Sequence, residues 1–473
     1  MPKEATVGEM PPYGFVRTPA GAMLDPSPPR HAVPSSVNTF RARDILILGF
    51  MNFALYVGAG NIIFPPFIGL QAGTSVWAAA AGFLLTGVGL PVITSIAMAR
   101  AGGSMSVLTR SVGRTSGTVL TIVCYLCIGP LFAIPRTTTV SYETAIQPFV
   151  GSDHWLWLFS LAYFAVVIAV SLHPGKLMDT VGKVLSPIKI VALIVLAITT
   201  LLWPAGQPGQ PTELYAHAAF SQGLTNGYLT MDTLGALAFG IVIVNAIHSR
   251  GVDSPSLITR YAVLSGIIAG VGLALIYICL FLLGTGSNAI AGSATNGAEV
   301  LSAYVHYSYG LGGSVFLGVL ITIACMVTAI GLTCACASYF SGITRIGYST
   351  YVWIFAAFSW GVSNLGLTRL IGVSVPILTS IYPVFIVLIA TFFMRPLFRS
   401  PSRVVVPVAI VALIVGSADA LNAAGFDALS VVKQLPLHDQ GLSWLPPVLV
   451  VMAMAALADR LGGPGRELGT DTP

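Results

Sequence analysis

The chain has 473 residues, 55% of them hydrophobic and only 8% charged. An average soluble domain has about a quarter of its residues charged, and so few charges cannot cover a chain of this size unless lipid covers much of the surface. The formal charge of +5 is spread thinly, with no basic cluster of the kind that binds nucleic acid.

Residues 1–42 contain eight prolines and no apolar run long enough for a signal peptide, and they read as a disordered cytoplasmic tail. From Asp44 onward, apolar stretches of about 20 residues recur, the length a helix needs to cross a bilayer. Twelve are counted: 45–70, 76–98, 117–146, 154–172, 184–203, 230–248, 258–284, 312–341, 351–366, 374–394, 403–423 and 443–459.

Twelve alternating crossings from a cytoplasmic amino terminus separate the cations strongly. One side holds the five Lys and Arg that precede Asp44, then Arg100, Arg110, Arg114, Lys176, Lys183 and Lys189, then Arg250, Arg260, Arg345, Arg395, Arg399, Arg403, Arg460 and Arg466. The other holds only Arg136, Arg369 and Lys433. Cations concentrate on cytoplasmic loops, so both termini are expected inside. An all-α integral membrane protein is implied, with 43–204 forming five crossings, 205–229 an extracytoplasmic loop, 230–395 five more, 396–461 the last two, and 462–473 a cytoplasmic tail.

Transporters built on inverted repeats carry interrupted helices at matching positions of their halves, where unwound backbone binds ions and substrate. Segment one reads GFMNFALYVGAGNIIFPPFIGLQAG, with Gly58, Ala59, Gly60 and Asn61 central and Pro65 and Pro66 shortly after. A half-helix starting there presents free N–H groups to an anion such as a carboxylate, while freed carbonyls, for example those of Ala54 and Val57, face a cation. Five crossings later, segment six carries Asp232 and Thr233 toward its outer side and Gly235 and Gly240 near mid-depth, a second candidate break. The competing structural reading is that these glycines only let helices pack closely. Segment eight, CMVTAIGLTCACASYF, adds the hydroxyls of Thr328 and Thr333, followed by Cys334. Hard cations prefer oxygen ligands, yet such hydroxyls commonly bond their own helix one turn back.

The six cysteines, Cys124, Cys127, Cys279, Cys325, Cys334 and Cys336, all fall in apolar stretches without nearby His or carboxylate, and packing is the simpler reading than a disulfide or metal site. Ionisable groups inside spans are functional candidates by default. Here they are Arg136, Asp232 and Asp419. Arg136 has possible partners in Glu143, two turns along the same face, and in Asp232; otherwise Arg136 and Asp419 snorkel at the outer boundary.

Four stretches, GFMNFALYVGAGNIIFPPFIGLQAG, GPLFAIPRTTTVSYE, GYLTMDTLGALAFGIVIVNA and VTAIGLTCACA, resemble the branched-chain amino acid:cation symporter family, from about Arg43 to the last helix. The resemblance implies a carrier of the bacterial cytoplasmic (inner) membrane for leucine, isoleucine and valine. It implies sodium as the coupling ion, no cofactor, and the leucine-transporter (LeuT-type) fold, a five-plus-five inverted repeat followed by two C-terminal helices. It also implies sodium at the carbonyls of Ala54 and Val57 and at Thr333, with Cys334, a poor sodium ligand, in the next hydroxyl position. Substrate is expected at Gly58, Ala59, Gly60 and Asn61 and at Thr233, Leu234, Gly235, Ala236 and Phe239, with Arg136, Glu143 and Asp232 as gating or coupling groups.

Two other readings stand beside sodium-coupled alternating access. One is proton coupling, with Asp232 or Glu143 titrating. The other is a channel or membrane enzyme, although an enzyme calls for clustered His, Asp or Glu and the seven histidines are scattered. One methylene is worth only about 1 to 3 kcal/mol, so composition does not rank the three substrates.

Overall fold

A computed structural model describes residues 39–173, 190–423, 425 and 430–461. The two terminal tails, apart from 39–42, and Lys176, Lys183 and Lys189 lie outside the described residues. Among those described, every regular element is a helix: α1 (Ala42–Tyr56), α2 (Ala59–Ala72), α3 (Val76–Leu84), α4 (Leu90–Arg100), α5 (Met105–Thr109), α6 (Arg114–Leu126), α7 (Ala133–Ala145), α8 (Gln147–Val150) and α9 (Leu156–Ser171). The series continues with α10 (Ile190–Leu202), α11 (Glu213–Tyr228), α12 (Asp232–His248), α13 (Pro255–Gly286), α14 (Asn288–Ala291), α15 (Gly297–Ile343), α16 (Tyr348–Ser363), α17 (Leu367–Met394), α18 (Pro401–Ala423) and α19 (Leu445–Leu461).

Among the described residues, eight helical stretches are long and apolar enough to cross a bilayer. Large apolar side chains such as Trp203, Leu275 and Phe316 remain exposed around the molecule, as a lipid-facing belt requires. Helix occupies each of the twelve expected segments, the fifth over Ile190–Leu202 among the described residues.

Segment one breaks where its glycines predict. α1 ends at Tyr56, Val57 is extended, and α2 restarts after Gly58. Pro65 and Pro66 fall in the second turn of α2 rather than its first, so each removes an internal helical bond. The carbonyl of Pro66 is approached closely by α13, where a Cβ on Gly284 would stand 1.9 Å from it; only glycine permits this contact.

Segment six differs from expectation in two ways. Residues 205–229 are not simply a loop, because α11 occupies most of them and packs along α3. Glu213, His217, Ser221, Gln222 and Asn226 dilute its hydropathy, yet Ser221 and Thr225 bond backbone carbonyls of their own helix. Nor does the chain break at Gly235 or Gly240, both helical. It breaks at 229–231, where Met231 takes a left-handed conformation with φ 64°. Gly240 serves packing, since a Cβ there would lie 2.6 Å from Met98 Cβ.

Segment three bends at a π-type turn over Cys127–Leu131, where Gly129 leaves helical geometry before Pro130. Segment eight starts earlier than expected, at Gly297, with a sharp turn at Gly310, whose φ of 63° suits glycine. α7 packs along α15, so the polar run from Arg136 to Thr144 is buried.

Candidate functional site

The two breaks meet. A Cβ added to Gly60 would stand 3.1 Å from the Thr230 carbonyl oxygen, so backbone lies against backbone where α2 and α12 begin. Between them is a cavity lined by Tyr56, Gly58, Ala59, Gly60 and Asn61 from segment one, and by Thr230, Met231, Asp232, Gly235 and Phe239 from segment six. Ile128, Ala133, Arg136 and Thr137 close it from segment three, Thr328 and Leu332 from α15. The lining joins apolar side chains to the amino ends of two helices, where unbonded N–H groups and the helix dipoles favour negative charge.

Asn61 ties the breaks together. Its Oδ1 accepts the Gly58 N–H at 2.9 Å, capping α2, while its Nδ2 donates to Asp232 Oδ2 at 2.6 Å. Tyr277 of α13 donates to the same carboxylate oxygen at 2.9 Å and also accepts from Asn61 Nδ2. Asp232 is buried as the first residue of α12, where its charge complements the helix dipole. A buried carboxylate must be hydrogen-bonded to be tolerated, and these two donors meet that need. In the cavity wall, the Tyr56 hydroxyl bonds Ser95 of α4.

Arg136 and Glu143, expected as a pair, are separated. The Arg136 guanidinium donates to the Leu229 carbonyl at 2.7 Å and to Ser374 Oγ at 3.0 Å, and lies 5.2 Å from the Phe64 ring centre. Glu143 instead accepts from Asn296 Nδ2 at 3.5 Å, next to the network where Asn296 caps α15 and also bonds Glu299. Seven residues place the two side chains on one face, but the helix rise sets them about 10 Å apart along the axis. Asp232, the other expected partner, is spent on Asn61 and Tyr277. Arg136 does not snorkel either: it is 1% exposed. Asp419 accepts from Ser443 and lies 3.1 Å from His438, joining α18 to the segment before α19.

Of the residues expected at the substrate, Gly58, Ala59, Gly60, Asn61, Gly235 and Phe239 line the cavity, whereas Thr233, Leu234 and Ala236 are buried outside its lining. Ala54, Val57, Thr333 and Cys334 also lie outside that lining. Thr333 is fully buried and donates to the Ala329 carbonyl at 2.7 Å, which occupies its proton and leaves the oxygen lone pairs able to meet a cation. Thr328 is the α15 hydroxyl at the cavity, its Cγ2 3.6 Å from where a Gly58 Cβ would stand. Sequence reasoning missed Tyr277, Thr230 and Tyr56. Tyr277 did leave a signal, a lone hydroxyl in the otherwise apolar run GLALIYICLFLL, since a polar group at membrane depth calls for a partner.

Known proteins resemble this chain in sequence and in fold. Residues 41–461 match the model of a family described as branched-chain amino acid transport protein. The branched-chain amino acid transport system 3 carrier protein of Pseudomonas aeruginosa is 57% identical over 430 residues, 90% of this chain and 98% of the relative. The branched-chain amino acid permease BrnQ of Escherichia coli is 53% identical over 426 residues, 89% and 97% of the two chains. Among solved structures, the nucleobase-cation-symport-1 family transporter Mhp1, closed around bromovinylhydantoin, matches with a TM-score of 0.56 at 15% identity, covering 91% of this chain and 97% of that one. MhsT in complex with L-phenylalanine matches with a TM-score of 0.50 at 16% identity, covering 87% and 98%. At such identities the likeness is one of fold.

Proposed function

The chain belongs to the branched-chain amino acid transport protein family, and from that premise we propose that it imports leucine, isoleucine and valine across a bacterial cytoplasmic membrane, coupled to sodium. Membership makes it a transport protein, not an enzyme. The observation that carries the reading is the meeting of two helix breaks at one cavity, with Gly58–Asn61 on one side and Asp232, Gly235 and Phe239 on the other.

Twelve crossings with both termini cytoplasmic, the first ten forming an inverted five-plus-five repeat and two helices following, accord with the cation distribution. Substrate and sodium bind between the breaks and a helix bundle rocks around them, exposing the site to each side in turn. The apolar lining suits an aliphatic side chain, whose burial contributes roughly 1.5 to 3 kcal/mol. One sodium ion moving through 100 mV supplies about 2.3 kcal/mol, or about fiftyfold accumulation. Sodium is held by the carbonyls of Ala54 and Val57 and by Thr333, with Cys334 alongside. Asp232, bound to both Asn61 and Tyr277, couples the two breaks. That buried carboxylate also favours the second reading, proton coupling at Asp232; Glu143 is the other titratable group near the path.

Radiolabelled leucine uptake into proteoliposomes tests the reading, with an imposed sodium gradient against an imposed proton gradient. Saturable uptake driven by sodium is expected. Uptake driven only by protons establishes the second reading, and no uptake by folded protein under either gradient contradicts transport. Thr333→Ala is expected to raise the sodium concentration for half-maximal uptake about tenfold, as the loss of one charge-assisted ligand bond implies; unchanged sodium activation removes Thr333 from the site.

A further inference from the structure

Among the described residues, the charge of Arg136 has no counter-charge beside it. Arg136 is 1% exposed, and among the described residues its partners are neutral: it donates to the Leu229 carbonyl and the Ser374 hydroxyl and lies over the Phe64 ring. Its Nε–H, also buried, has no hydrogen-bond partner among the described residues. Among the described residues no carboxylate lies within ion-pair distance of it, since Asp232 bonds Asn61 and Tyr277 and Glu143 faces Asn296. A buried cation without an opposite charge costs several kcal/mol. Such a cost is sustained where a ligand supplies the missing charge.

We propose that Arg136 binds the carboxylate of the transported amino acid, together with the amino end of α2. Both line the same cavity, Arg136 from α7 and Ala59, Gly60 and Asn61 from the first turn of α2. The first-turn N–H groups and the helix dipole favour an anion, and the planar guanidinium adds a full charge and donors matched to a carboxylate. The bonds from Arg136 to Leu229 and Ser374 hold the group in place before substrate arrives. Leu229 is the residue that closes α11, so the same side chain links substrate to the second break. The inference rests on amino acid transport as proposed above and assigns the group that reads the carboxylate.

The test compares leucine with leucinamide, which keeps the ammonium and the side chain but lacks the carboxylate, as competitors of radiolabelled leucine on purified protein. Arg136→Gln is expected to weaken leucine about a hundredfold and leucinamide by less than about threefold, the loss of two charge-assisted bonds. Arg136→Lys, which keeps the charge and covers the case in which the glutamine variant does not fold, is expected to weaken leucine about tenfold and to keep the preference over leucinamide. Equal weakening of both compounds in either folded variant identifies a structural role and overturns the assignment, as does wild-type leucine affinity in Arg136→Gln. Replacing chloride with gluconate is expected to leave leucine binding unchanged; a chloride requirement that disappears with Arg136→Gln makes the counter-charge an inorganic ion and also overturns it. Absence of leucine binding by the wild type contradicts the transport reading itself, and this inference with it.

Discussion

Segment one breaks at Val57 and Gly58, both extended, and Asn61 caps the restart with its own side chain, whereas the break between α11 and α12 is made by Met231, in a left-handed conformation that ordinary residues avoid, followed at once by a buried carboxylate. The first break is built from residues that favour it. The second is imposed by its surroundings: the Thr230 carbonyl lies against Gly60, Leu229 accepts from Arg136, and Asp232 accepts from Asn61 and Tyr277. The second break therefore depends on partners contributed by other helices, and the first more on its own residues.

The largest effect is expected from removing the residue both breaks share. Asn61→Ala leaves the Gly58 N–H without its cap and takes one of two donors from Asp232, a combined cost of about 3 to 5 kcal/mol. Leucine uptake is expected to fall by more than about a hundredfold on that basis; near-normal uptake would show that the breaks do not depend on each other. A smaller effect follows from steric contact. Gly60→Val places its branch against the Thr230 backbone, whereas Gly235→Ala meets only the Phe239 ring, 3.7 Å away. Uptake by the first variant is expected to drop more than about tenfold, and by the second less than about twofold. Equal uptake by the two variants would remove the close contact of the breaks from the account. The last effect is on stability: Met231→Gly relieves a left-handed non-glycine residue, worth about 1 kcal/mol, but removes a buried side chain worth roughly 2 to 5 kcal/mol. The melting temperature of the purified protein should fall, and a rise would mean that the backbone cost outweighs the packing.

The same contrast explains what the sequence disclosed. Gly58, Gly60 and Asn61 are legible because glycines and an amide rarely interrupt an apolar run without structural consequence, and the first break falls where they stand. The second was misplaced onto Gly235 and Gly240, because glycine marks close packing as well as unwinding; Gly240 does the former against Met98. Nothing in Leu229, Thr230 or Met231 announces a break, since the causes lie on α2, α7 and α13. α11 was hidden for a related reason. Its polar residues resemble a loop in a hydropathy profile, while its helix is stabilised by packing on α3, where a Cβ on Gly223 would stand 1.9 Å from the Ala79 carbonyl. Arg136 was singled out as an ionisable group in a span, but its partners, Leu229 and Ser374, are 93 and 238 residues away. Periodicity within one helix could not supply them.

A structure of the protein with leucine bound tests the central claim most directly. The account predicts leucine between the starts of α2 and α12, its carboxylate within hydrogen-bond reach of Arg136 and the first-turn N–H groups of α2, and its side chain toward Ile128 and Phe239. Leucine bound away from both breaks, or bound there with its carboxylate turned from Arg136, would contradict it.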